Sequence, residues 1–360
     1  MNIENIILVL IYVISHNVIA RYKLYKNFNN NKEIMIVNPK KFKTDLELKN
    51  EKIKKSNLYG EIVTFKCRLE KNINKEYLHN MYNNLETLKA SEHIILPQNL
   101  LLIPAGGTYN PKNNKLKILK LFKKEVINHE LFHMASASKI TKGNKKENIY
   151  ISGFAQYNSK FHNKLGIGLN EGYTESLNER YFGINTNISK VYKLCEFYSI
   201  KLQQIVGEEI MLKLYLTGDL PNLIKELKIY DTKENIIKFI TNLDFVFINM
   251  FMLSDPLIIN KKKLKEKITL KFSEINDTLI KWYIKKKQNE LKENKINNIK
   301  FLHDINTYYD SIVWYSHFDN NTKKFISIFD YKALEKLDIP TKKIEEYSQV
   351  KMIKKRYNHD

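Results

Sequence analysis

The sequence predicts an α+β protein: a small sheet ahead of one central helix, then a mostly helical lobe. Three observations carry this. Turn-punctuated apolar and β-branched runs occur between residues 60 and 120. Helical spacing occurs at 74–90 and 121–138, resumes at 169 after a break over 139–168, and dominates from 189 to 292. The chain has 360 residues with 43% apolar content, enough for a sizeable core.

In chain order, residues 6–14, IILVLIYVI, are continuously apolar, and the basic stretch RYKLYK begins at 21. Three readings of residues 1–20 stay open: a membrane anchor, a signal-peptide core with cleavage after Ala20, or a buried element. An anchor followed by this charge would leave the body of the protein on the cytoplasmic side. Residues 21–58 are basic, with short helices expected. GEIVTFKCRLE, 60–70, is β-branched and partly alternating, so a strand is expected. The spacing of Tyr77, Met81, Leu85 and Leu88 predicts a helix over 74–90.

NLLLIP, 99–104, reads as a buried strand, and AGGTYNPKNN, 105–114, as turn chemistry. KLKILK, 115–120, alternates like an edge strand, either a plain amphipathic one or one that pairs with an extended peptide. Good helix formers fill 121–138. A loop over TKGNKKEN and one or two short strands within YISGFAQYNSKF precede a second helix, 169–182, with Gly183 as its C-cap. Helices are expected at 189–206, 208–217, 221–229, 233–253 and 262–292, and the tail from 295 is mixed.

The formal charge is +21, carried almost wholly by lysine; arginine occurs only at 21, 68, 180 and 356. Arginine is the better fork for phosphate and guanine, so no specific nucleic-acid partner is expected, though general attraction to anionic surfaces follows from the charge. Cys67 and Cys195 make neither a disulfide framework nor a cysteine zinc site.

The chemistry concentrates in HELFH, 129–133. On a helix, i and i+4 share a face, so His129 and His133 can aim two imidazoles at one ion. Glu130 is one step round, near enough to act on a water bound to that ion. Ile127, Leu131 and Met134, flanked by Val126 and Ala135, form an apolar face opposite. A third ligand must come from elsewhere. NEGYTE, 170–175, offers Glu171 and Glu175 on one helix face, one to bind the metal and one to orient a histidine. His162, in a loop-like stretch, is a rival third ligand. Tyr157, His162, Tyr173 and Tyr181 are candidate oxyanion donors.

HELFH followed by LNEGYTE resembles the gluzincin zinc metallopeptidases, the thermolysin-like clan, and its Leu-Asn-Glu-Gly stretch is most similar to the aminopeptidase branch. The resemblance covers about residues 115–183. It implies a zincin-like catalytic core with zinc on His129, His133 and Glu171, Glu130 as general base, and Glu175 supporting a histidine. The stretch between His133 and Glu171 is longer than in the commonest members. No Gly-x-Met-Glu-Asn segment lies upstream, which favours an endopeptidase acting on peptide or protein.

The expected organisation is therefore a segment 1–20 for anchoring or targeting, an N-terminal α+β region 21–110, a zinc-binding core 111–188, a helical lobe 189–294 and a mixed region 295–360. Competing readings are a zincin-shaped binding protein without turnover, a zinc hydrolase of a non-peptide substrate, and a basic protein that binds anionic surfaces.

Overall fold

A computed structural model describes residues 51–93, 106–142, 147–157, 163–184, 190–253 and 260–317. The expectations for residues 1–20, for the strand at 99–104, for His162 and for the chain beyond 317 lie outside the described residues. The architecture is mixed α+β and mostly helical, with two small sheets. The chain divides into two compact units, 1–200 with 208–223, and 201–207 with 224–360.

The first unit begins with α1 (Glu51–Lys54) and α2 (Tyr59–Asn72). The second of these corrects the strand expected at 60–70. Its buried side chains are Ile62, Phe65 and Leu69, a helical spacing that coexists with the β-branched content. Burial of that stripe, including the edge-on contact of Phe65 with Phe132 at 5.0 Å, decides for helix. A 3₁₀ turn (Lys75–Leu78) and α3 (His79–Thr87) follow, and β1 (Lys89–His93) takes the end of the stretch expected to be helical.

Strands β2 (Gly107–Asn110) and β3 (Lys115–Leu119) form a hairpin, so the glycine-rich stretch read as a turn is partly strand. The sheet order is β1-β3-β2, with β1 parallel and β2 antiparallel to β3. KLKILK is therefore the middle strand, with β1 and β2 as the outer strands among the described residues. Leu116 and Ile118 are fully buried, which explains the alternation without an edge position. Asn114, at φ 49°, closes the hairpin and donates from Nδ2 to the Asn84 carbonyl at 2.7 Å.

A 3₁₀ turn leads straight from β3 into α4 (Lys123–Ala135). This helix stops three residues earlier than the sequence suggests. Asn84 Nδ2 donates to the Met134 and Ala137 carbonyls, both at 2.7 Å, and the chain turns at Ser136 into β4 (Ala137–Lys142). Strands β4, β5 (Glu147–Ser152), β6 (Ala155–Tyr157) and β7 (Asn163–Leu165) make an antiparallel sheet in that order. Then come α5 (Ile167–Phe182), closed by Gly183 at φ 66°, α6 (Lys190–Val206), α7 (Glu208–Thr217) and α8 (Leu220–Leu227).

The second unit is built on α9 (Lys233–Leu253), α10 (Lys261–Lys292) and α11 (Asn298–His317), with α10 packed against both neighbours. Asp231 ties its core, accepting from Trp282 Nε1 at 3.0 Å and Asn235 Nδ2 at 2.8 Å. Helix α9 is long and apolar enough to cross a membrane, but half of its most apolar window is buried.

Candidate metal centre

Helix α4 has to be buried on nearly every side. Val126, Ile127, Leu131, Phe132, Met134 and Ala135 are all core residues, and His129 and His133 are 5% and 7% exposed. Burial of imidazoles demands partners, and α5 supplies them. His129 Nε2 lies 3.1 Å from Glu171 Oε2 and 3.1 Å from His133 Nε2, and His133 Nε2 lies 3.4 Å from Glu171 Oε2. Three ligand-type atoms from two helices thus form a nearly equilateral triangle. Bonds of about 2.0–2.1 Å at tetrahedral angles require ligand atoms roughly 3.3 Å apart. The donor set, two imidazole nitrogens and one carboxylate oxygen, is also one that zinc favours. The residues fit the ion.

The outer nitrogens have partners too. His129 Nδ1 donates to Glu175 Oε2 at 3.1 Å, and Glu175 is 0% exposed. That contact fixes the ring with Nε2 turned to the shared point. His133 Nδ1 lies 3.4 Å from Ser152 Oγ, at the end of β5, and 3.2 Å from Asn170 Nδ2. Asn170 Oδ1 in turn accepts the Phe154 N–H at 3.1 Å, tying the β5–β6 turn to the start of α5. Asn170 and Ser152 carry no signal in the sequence beyond Asn170 preceding Glu171.

Electrostatics follow from burial against contact. Burial pushes the His129 pKa down, but the hydrogen bonds to Glu171 and Glu175 outweigh it and carry it up to about 10. Burial would raise Glu171, yet His133 and His129 hold its carboxyl well below the usual range. Glu130 is pushed upward, chiefly by burial, against the opposing pull of the histidines and of the Tyr109 N–H that donates to it. A carboxylate so placed is a stronger base than one in water.

Glu130 owes its seat to β2. A Cβ added at Gly107 would lie 2.9 Å from Glu130 Cγ and 2.9 Å from Ile118 Cδ1. Leu119 N–H donates to the Gly106 carbonyl at 2.7 Å, so Gly106 is turned towards β3. Alternation then turns the amide and carbonyl of Gly107 and Tyr109 away from β3. Tyr109 N–H uses this outward direction to reach Glu130.

The oxyanion candidates scatter. Tyr173 points away from the metal face of α5, as its two-residue offset from Glu171 dictates, into a cluster with Phe154 and Tyr215 at 5.8 and 5.3 Å. Tyr181 packs near Phe132 at 6.2 Å, in the last turn of the helix. Tyr157 is in β6, paired with Tyr150 of β5. The tyrosine brought to the histidines is instead Tyr192, whose ring meets that of His129 edge-on at 5.6 Å. Burial, and then the charges of Glu171, Glu130 and Glu175, push its hydroxyl pKa well above 10, so it keeps its proton. Sequence reasoning missed it because α6 approaches through Gly172: a Cβ there would lie 2.2 Å from the backbone of Cys195, one turn beyond Tyr192.

Comparison with known protein families, with curated proteins and with solved structures finds no match to this chain.

Proposed function

We propose that the protein is a zinc-dependent metallopeptidase of the gluzincin kind, an endopeptidase rather than an aminopeptidase, built on a zincin-like core. The observation that supports this most is the convergence of His129, His133 and Glu171, with Glu130 next along the same helix and packed against Gly107 of the outer strand β2. Zinc held there would acidify a water and polarise the carbonyl that the water attacks.

The chain's own residues do the rest. Glu175 fixes the tautomer of His129. An extended peptide laid along β2 finds the outward N–H and C=O of Gly107, which reads backbone without regard to side chain and suits internal peptide bonds. Glu130, held by the Tyr109 amide, takes a proton from the attacking water and returns it to the leaving nitrogen. Tyr192, kept protonated beside His129, would donate to charge developing on the carbonyl oxygen.

Zinc content and peptidase activity of the wild type and Glu130→Gln test the proposal. One equivalent of zinc in both, with turnover of a denatured protein substrate in the wild type alone, is expected. Zinc in neither protein, or equal turnover in both, refutes it.

A further inference from the structure

A surface cavity of about 350 Å³, open to solvent, lies between the last turns of α2 and α5, lined by Arg68, Lys71, Asn72, Arg180 and Tyr181, all but Tyr181 exposed. It is separate from the metal centre: Arg180 is nine residues along α5 from Glu171, about 13 Å of helix, and half a turn out of phase with it. Two of the chain's four arginines meet here, in a sequence that otherwise uses lysine for positive charge. We propose that this cavity binds the phosphate group of a small phosphorylated molecule.

Arg68 is set in place before any ligand arrives. Its Nη1 donates to the Tyr181 carbonyl at 2.7 Å, and its guanidinium lies 5.5 Å from the centre of the Phe182 ring. Phe182 is itself stacked on Phe65 at 5.4 Å with the planes 3° apart. The remaining nitrogens of that fork meet no acceptor among the described residues, and neither does the Lys71 ammonium. Arg180 Nη1 donates to Glu208 at 2.7 Å, but the Glu208 side chain is 64% exposed, so the pair is screened by water. The Arg180 side chain is also hydrogen-bonded to the Tyr181 hydroxyl.

Cations in the last turn of a helix also offset its macrodipole, and that alone would explain one positive charge at each end. Three cations less Glu208 and less about half a charge for each helix end still leave roughly +1 facing the cavity. A phosphate monoester brings three acceptor oxygens to the three separate cationic groups, where a carboxylate offers only two. The volume falls in the range of small-molecule sites, about 300–1,000 Å³.

Calorimetric titration of the full chain with inorganic phosphate and with glycerol 3-phosphate, at constant ionic strength, tests this without reference to metal or turnover. Two variants accompany it. Lys71→Gln removes an unpaired charge, and Arg68→Lys keeps charge but loses the fork; circular dichroism and melting temperature show that both still fold. Saturable binding in the millimolar range or tighter is expected, weakened about tenfold by Arg68→Lys and by at least about fivefold in Lys71→Gln. Tighter binding of the ester assigns a phosphorylated metabolite as ligand. Tighter binding of the free ion shows the same phosphate chemistry but overturns the ester. No saturable binding, binding unchanged from wild type in both variants, or association only with vesicles containing phosphatidic acid overturns the site.

Discussion

Glu175→Gln isolates the support that α5 gives to the metal site. The side chain is 0% exposed and its Oε2 lies 3.1 Å from His129 Nδ1. Glutamine matches its volume and keeps an oxygen that accepts from Nδ1–H, so the ring stays oriented and only the charge is lost. Partners of this kind contribute about 10–100-fold to metal affinity, which is about 1.4–2.8 kcal/mol. Zinc affinity, measured by competition with a chromogenic chelator at pH 7.5, should therefore fall by one to two orders of magnitude. Glu171→Gln, which removes the anionic ligand itself, should fall further. The melting temperatures of the metal-stripped proteins separate weak binding from poor folding. Affinity within twofold of wild type in a folded Glu175→Gln protein would refute a contribution of the Glu175 charge to metal binding. An equal, small effect of both substitutions would refute the assignment of Glu171 as ligand.

Gly107→Ala places a methyl 2.9 Å from both Glu130 Cγ and Ile118 Cδ1; a stability loss of about 1–3 kcal/mol and a fall in kcat with zinc retained are expected, checked by urea unfolding and turnover. Tyr192→Phe should leave zinc affinity unchanged and lower kcat by about 10²-fold, with unaltered kcat excluding the hydroxyl as donor. Lys201, 7% exposed and bonded to Ser311 Oγ at 2.5 Å, has its pKa lowered by burial from 10.5 to about 8. The unfolded chain holds the proton more tightly, so this residue's cost to stability is full below pH 8 and fades as pH rises to about 10.5. Lys201→Met should accordingly raise stability by about 1–3 kcal/mol at pH 7 and by progressively less above pH 8, read from unfolding curves across that range.

The sequence by itself determined whatever depends on neighbours one helical turn apart. The His129–His133 face, the Glu171–Glu175 pair, the stop at Gly183 and the bounds of the helices at 190–206 and 233–253 all follow from the 3.6-residue repeat and from caps. Where two periods fit, local pattern was not enough. GEIVTFK carries both β-branched content and the Ile62–Phe65–Leu69 stripe, and packing against Phe132 chose the helix. KLKILK alternates as an edge strand would, but its place between β1 and β2 was set by residues outside it. Tertiary structure alone brought Glu171 to the histidines across some forty residues, put Gly107 beneath Glu130, and let α6 close on Gly172 so that Tyr192 reaches His129. Those contacts join segments whose spacing in sequence carries no geometry, because the angle and approach of two helices are fixed by the side chains, and the missing side chains, where they cross.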